Sequence, residues 1–541
     1  MNARLLAVVV VVAGCGLDPS TNPVVDNEDS VDGPMLEPAI SGNRAQIARG
    51  REIWLKSMFG GEKFWGIILP APPFNVRPGF DIAFRSPRDT RFRDYGVINE
   101  PGCTQGDAST DFYDRCPDPE STGVVGFRKK VIQGPSGPET IIGFACAGCH
   151  AGLDPSNPPE DPNHPRWSNI HLTTGNQYIQ LDKLFSGHIQ SNEPRWQILH
   201  SWAPGTADTS SKHETDGINN PGVITQFWNF PDRPFFDQTD HGMPIRVHRA
   251  GQGGEDDAGC EKAALRVYFN IGMCVAECSL PHVANGPGGT QTPIDDAECA
   301  SKCPDYVAAK AAVVDECAFM QTPTPPRLAN APGGNRFIDH SAVHRGREVF
   351  RNACARCHSN GEEAKDNILS DDLIHPMEEI GTNSCRARAT NWMEGHIWAQ
   401  FSSDQYKARP TGGPGYYRDV PLRGAWATAP FLHNNRLGLY NGDPSVAGRI
   451  AAYEDAMDQL LNPSKRDLNG SIVRTTEAIQ VPTKGGTVTV PAGTPIGAFA
   501  NVSSATGQNL CPDYIENKGH TFGEELSAYD KHAVTEYLKT R

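Results

Sequence analysis

Cys146-Ala147-Gly148-Cys149-His150 and Cys354-Ala355-Arg356-Cys357-His358 are two copies of one pattern, Cys-x-x-Cys-His, in a chain of 541 residues. Two thiols three positions apart point the same way from one turn, so both can add to the vinyl groups of a single porphyrin. The imidazole that follows then lies under the iron as an axial ligand. The pattern predicts two covalent c-type haems (iron), one held by Cys146, Cys149 and His150 and the other by Cys354, Cys357 and His358. A zinc site would have to pool ligands from both halves into a tetrahedron, and a His directly after the second Cys is badly placed for that. Thioredoxin-like chemistry would need a strand and then a helix around the motif, a context that Phe144-Ala145 and Asn352-Ala353 lack.

Outward from the second motif, Arg345-Gly346-Arg347-Glu348-Val349-Phe350 forms an amphipathic turn before Cys354. At the far end of the chain Leu526, Ala533, Val534, Tyr537 and Leu538 recur at helical spacing, with Ser527 as N-cap. A helix on each side of the motif resembles the class I cytochrome c arrangement, in which the first and last helices cross beside the haem. Arg49-Gly50-Arg51-Glu52-Ile53-Trp54 repeats the 345–350 segment almost letter for letter, but it lies far upstream of Cys146, so the first copy carries a large insertion. The expected fold is mainly α. It has two tandem class I cytochrome c-like domains, 43–335 and 336–541, with long loop-rich insertions and a disulfide-stapled helical hairpin at 260–317.

The composition fits an exported, loop-rich globular protein. Hydrophobic residues are 38%, Gly and Pro number 54 and 44, and the net charge is −15 without a basic cluster, which excludes nucleic acid as a partner. Arg4, the apolar run Leu5 to Val12 and then Ala13-Gly14-Cys15 predict a short signal peptide over 1–15. Val12-Ala13-Gly14-Cys15 resembles a bacterial lipobox with Cys15 as the lipid anchor, the alternative being an ordinary secretory peptide. The expected location is periplasmic or at the cell surface, with attachment to the outer membrane through the lipid. Residues 16–42 form an acidic, Pro-containing tether.

Of 15 cysteines, Cys15 and the four haem thiols leave ten, an even number that suggests disulfides in an exported chain. Cys274-x-x-x-Cys278 and Cys299-x-x-x-Cys303, on two antiparallel helices, would pair Cys274 with Cys303 and Cys278 with Cys299. Cys260 with Cys317 would close the base of that hairpin. By elimination, Cys103 pairs with Cys116 and Cys385 with Cys511.

What binds the iron's other face decides the function. For the second haem, His520 in Asn517-Lys518-Gly519-His520-Thr521-Phe522-Gly523 is the leading candidate, because its flanking glycines allow a loop to fold over the porphyrin. Met457 and His433 are rivals. No similarly framed His or Met stands out for the first haem, which points to that centre as the reactive one.

With Pro421-Leu422-Arg423-Gly424-Ala425-Trp426-Ala427-Thr428-Ala429-Pro430-Phe431-Leu432-His433-Asn434-Asn435 after the second motif, the chain resembles the bacterial di-haem cytochrome c peroxidase superfamily. Within it the chain is most similar to the rubber oxygenase branch, through Cys149-His150-Ala151-Gly152-Leu153-Asp154-Pro155, Gly175-Asn176-Gln177-Tyr178, the Pro-Phe-Leu-His-Asn-Asn segment and Gly519-His520-Thr521-Phe522-Gly523. The likeness spans most of 45–541, and its specific blocks flank the haems. Asn434 stands where peroxidases have Asp, and His520 where they have Met. The cysteine hairpin has the look of a branch-specific insertion.

The resemblance implies an oxidoreductase whose first haem activates dioxygen or hydrogen peroxide while the second transfers electrons. The substrate would be apolar or another small molecule, and the electron donor a small cytochrome or cupredoxin. It also implies that Phe227 and Trp228, in Gln226-Phe227-Trp228-Asn229, lie between the haems, the indole helping electrons cross and the Phe bordering the open pocket. Core packing is the plainer reading of that pair. Glu255 and Phe269 are further candidates for the first haem's pocket. The alternative function is a di-haem electron-transfer cytochrome without substrate chemistry of its own.

Overall fold

The computed structural model describes residues 44–541 apart from 73, 108–112, 135–136, 209–217, 227–259, 285–289, 321, 359–373, 391–396, 398, 402–415, 419–421, 484 and 504–505. The described chain is mainly helical, and its named strands form two-stranded antiparallel sheets. The elements that position the two motifs are α1 (Arg44–Lys56), the hairpin β1 (Phe127–Gly134) and β2 (Gly137–Phe144), and α2 (Ala147–His150). They are followed by α3 (Cys260–Asn270), α4 (Asp296–Lys302), α5 (Pro304–Met320), α6 (His340–Ala353), α7 (Ala355–His358), α8 (Val446–Leu461) and α9 (Ala528–Lys539). Among the described residues no single helix is long and apolar enough to cross a membrane.

The Arg-Gly-Arg-Glu repeat becomes two equivalent helix crossings. On α6 the buried face is Ala342, Val343, Gly346, Val349 and Phe350, recurring at three- and four-residue steps, and Asp339 caps its first turn by accepting from Ser341 N. On α9, Ser527 is the N-cap, taking the Asp530 amide at 3.1 Å. The two helices meet at Gly346, where a Cβ would lie 2.0 Å from the Ala533 carbonyl oxygen and 2.7 Å from Tyr537 Cβ. In the first copy α1 meets α5 at Gly50, where a Cβ would lie 1.9 Å from the Asp315 carbonyl oxygen and 2.9 Å from Phe319 Cβ. Glycine is required at both because any side chain would push the helices apart.

The aromatic contacts repeat as well. Four residues beyond each glycine, Trp54 packs on Phe319 (ring centroids 6.0 Å) and Phe350 on Tyr537 (5.5 Å). Around these crossings lie two large hydrophobic cores. One holds Trp54, Trp65, Phe80, Phe84, Phe127, Phe144 and Phe185, and the other Phe350, Trp426, Tyr453, Met457, Val534 and Tyr537.

Five disulfides pair Cys103 with Cys116, Cys260 with Cys317, Cys274 with Cys303, Cys278 with Cys299 and Cys385 with Cys511, the expected pairing. The hairpin differs from its expected form in two ways. Cys274 and Cys278 do not share an α-helical face, because α3 ends before Gly272 (φ 111°), Cys274 adopts φ 51°, and Val275–Ser279 is a wide π turn. Gly272 turns the chain against Phe64, whose Cβ would lie 2.6 Å from an added Cβ. In addition, α5 is more than an arm of the hairpin, since it is also the helix that crosses α1.

Candidate cofactor-binding site

Both motifs take the same backbone form. Cys149 and His150 donate their amides to the Cys146 carbonyl at 3.3 and 3.1 Å, and Cys357 and His358 donate theirs to Cys354, both at 3.1 Å. The second turn continues directly from α6, with Cys354 N on the Phe350 carbonyl. The first is reached through β2, so a strand does precede it, contrary to expectation, but the helix that follows is a single four-residue turn; Gly126 (φ 74°) passes so close that a Cβ there would lie 2.0 Å from Gly148 N. Among the described residues the cysteines outside disulfides are Cys146, Cys149, Cys354 and Cys357, the four motif thiols. Burial pushes the Cys354 thiol up to about 12, with Cys357 adding to the rise. Such a thiol is a poor nucleophile for disulfide exchange.

Cys274, Cys278 and Cys299 also bring their sulfurs together, but all three are in disulfides and lack the adjoining imidazole of the haem motif.

His150 is buried and its Nδ1 lies 2.9 Å from the Thr225 carbonyl oxygen, which sets the tautomer with N–H on Nδ1 and the lone pair on Nε2. Trp54 packs at 5.8 Å from its ring. The Gly175–Tyr178 block latches onto this turn, because Gly175 and Asn176 donate their amides to the His150 and Cys149 carbonyls, both at 2.9 Å. From there Gln177 reaches the Thr428 carbonyl at 2.6 Å and accepts from Arg449 at 3.0 Å. A continuous hydrogen-bonded path thus joins the first motif to the 421–435 block.

At the second motif the ring of His520 stands opposite that of His358, centroids 6.5 Å apart and planes 43° apart. Two imidazole–metal bonds of about 2 Å, with each ring centre about 1 Å behind its nitrogen, would separate the centroids by roughly 6 Å. The gap is the size an iron would fill. His520 Nδ1 is buried with no side-chain or main-chain hydrogen-bond partner from another described residue, which leaves a buried polar atom for something else to complete. Burial, with His358 beside it, holds the His520 imidazole down at about 4, so it is a neutral donor rather than a cation. The donor set and the spacing therefore fit an axially ligated iron.

The loop that carries His520 is strained and clamped. His520 has φ 46° and Gly519 φ 78°, and the His520 amide donates to the Ile380 carbonyl at 2.7 Å. Arg466, which the sequence pattern did not single out, donates to the carbonyls of Gln459 (2.8 Å) and Leu460 (3.0 Å) at the end of α8. The same guanidinium donates to Asn517 (3.1 Å), Gly519 (2.5 Å) and His520 (3.3 Å) in the loop.

Of the rivals, Met457 is buried in the second core. His433 stacks on Tyr417 at 4.8 Å while its carbonyl accepts the Val223 amide. Phe269 is buried with its ring against Tyr306 and Phe401. Phe227, Trp228, Glu255 and Cys15 lie outside the described residues. No protein-family model matches the chain, and no curated protein matches it.

Proposed function

We propose that the chain is an exported, lipid-anchored di-haem c-type cytochrome acting as an oxidoreductase. Cys146, Cys149 and His150 would hold haem one, and Cys354, Cys357, His358 and His520 haem two. The observation that carries this reading is the opposed pair His358 and His520, 6.5 Å between ring centroids beside two motif thiols outside any disulfide. The five disulfides support an oxidising compartment. When bound, the haems would supply one-electron chemistry and, at an open iron, activation of dioxygen or hydrogen peroxide. The chain's part is to fix the His150 tautomer through Thr225, to hold His520 in place through Arg466, and to join the two sites through Gln177 and Arg449.

The test is spectroscopic. A pyridine haemochrome assay should give two haems per chain. EPR with and without cyanide should give one low-spin centre that cyanide converts only slowly and one that binds it promptly. In His520→Ala the low-spin centre should turn high-spin, and an unchanged spectrum would remove His520 from the ligand set. Two low-spin haems, neither binding cyanide promptly, would leave the electron-carrier reading in place of the oxidoreductase.

A further inference from the structure

The two crossings differ at the buried position next to the carbonyl that meets each glycine. One residue after the carbonyl that meets the glycine, the second copy has Val534, buried in its core, and the first has Glu316, fully buried on α5. Burying a carboxylate where an apolar side chain serves in the other copy costs several kcal/mol. The Glu316 carboxylate lies between two groups. Tyr268 on α3 donates its phenolic O–H, 3.0 Å from each carboxylate oxygen, and the Cys146 thiol donates from the first motif. Tyr268 is itself fully buried, its ring edge-on to Phe59 at 4.6 Å. The Cys260–Cys317 disulfide ties α3 to α5 at the residue next to Glu316, which keeps the phenol over the carboxylate. Once Cys146 is a thioether its S–H is gone, and the phenol remains as donor.

From this geometry we infer that Tyr268 and Glu316 form a proton-coupled redox pair that feeds one electron to the haem-one site when hydrogen peroxide oxidises it. The inference rests on the functional reading above. In the step the phenol O–H bond breaks, the proton forms a new O–H bond on a Glu316 oxygen, and one electron leaves the phenol ring. The oxidant is hydrogen peroxide: its O–O bond breaks and it becomes two waters by taking two electrons and two protons. Tyr268 supplies one of those electrons, the small electron-donor protein of the functional reading above would supply the other, and the protons come from solvent. A buried phenol is otherwise hard to oxidise, because its proton has nowhere to go in an apolar core, and the carboxylate at hydrogen-bond distance removes that barrier.

The experiment uses the full-length, haem-loaded protein, mixed with stoichiometric hydrogen peroxide and frozen for EPR. The haem content is read first, by pyridine haemochrome. The expected result is a tyrosyl radical near the free-electron g value, narrowed when the protein is grown with ring-deuterated tyrosine. It should be lost in Tyr268→Phe and in Glu316→Gln, whose amide keeps the hydrogen bond but cannot take the proton. Both variants should retain the wild-type haem content and absorption. A haem-replete wild type without the signal, or a signal that persists in Tyr268→Phe or is unchanged in Glu316→Gln, overturns the inference and leaves the di-haem reading standing. A chain that carries no haem overturns both.

Discussion

Replacing Arg466 by Met isolates what holds His520 in place. Met occupies a similar length of the buried Arg466 position but donates nothing, so three loop carbonyls (Asn517, Gly519 and His520) lose their donor along with the two at the end of α8. A hydrogen bond from a charged donor is worth about 1.5–3 kcal/mol when its acceptor is buried, and less where water replaces it. With about 1 kcal/mol retained per loop contact after rehydration, opening of the His520 loop becomes easier by about 3 kcal/mol, roughly a hundredfold in its equilibrium constant. Cyanide can reach the proposed second iron only when that loop opens, so its slow binding phase should accelerate by about the same factor. The resting spectrum should stay largely low-spin, because closure still lies downhill. Stopped-flow absorption against cyanide concentration reads this, with Arg466→Lys expected between the two. A cyanide rate in Arg466→Met equal to wild type would refute the clamp, since it would mean that the strained backbone at Gly519 and His520 holds itself.

Four further outcomes follow from the same geometry. Gly346→Ala and Gly50→Ala should each destabilise the protein by about 1–3 kcal/mol in urea unfolding, because the added methyl lies within 2.0 Å of a helix carbonyl in both crossings. Removing the Cys260–Cys317 link by a double Ser substitution opens a loop with a sequence separation of 57 and should cost about 4 kcal/mol on the loop-entropy estimate. Burial raises the Glu516 carboxyl to about 7 against the opposing pull of Arg436, Asn434 and Lys518, with Asp513 adding to the rise. Its folded pKa lies above the unfolded value, so its contribution to stability is complete below about pH 4.3 and is lost as pH rises through about 7. Thermal melts of Glu516→Gln should therefore gain on wild type from pH 5 to pH 8, and parallel curves would contradict the assignment.

Much of this was legible in the chain because it is local. The Cys-x-x-Cys-His turns, the Ser527 cap and the Gly-Arg-Glu repeat are short-range patterns whose geometry depends on a few neighbouring residues. The disulfides were readable because spacing and parity leave few sensible pairings. What escaped is long-range. Nothing near Arg466 marks it as a clamp, since its five acceptors come from two segments, 459–460 and 517–520, that are far apart in sequence and meet only in the fold. The role of α5 escaped for the same reason: its cysteine drew it into the hairpin, whereas the contact that defines it is with Gly50, more than 250 residues upstream, as in the Arg49 to Asp315 ion pair. Aligning the two crossings through their glycines would have set Glu316 against Val534, a signal present in the sequence but visible only once α5 was paired with α1.

That alignment also accounts for the disulfides around the first motif. The second crossing, with Val534 at its centre, is held by apolar burial, by the buried Lys539–Glu536 pair (2.6 Å) and by the Arg345–Asp530 ion pair (2.7 Å) between its helices, neither of which carries a cystine. With Glu316 at the same place, the first copy loses an apolar contact and takes on a carboxylate to desolvate, so α5 needs another source of stability. The Cys260–Cys317 bond begins one residue beyond Glu316, and Cys274–Cys303 ends one residue before α5, so covalent links bracket the helix that carries the acid. Reducing all five disulfides should therefore loosen the first crossing before the second. Hydrogen exchange should rise in 304–320 while 340–353 and 528–539 keep their protection, and equal loss in both crossings would separate the staples from the buried carboxylate.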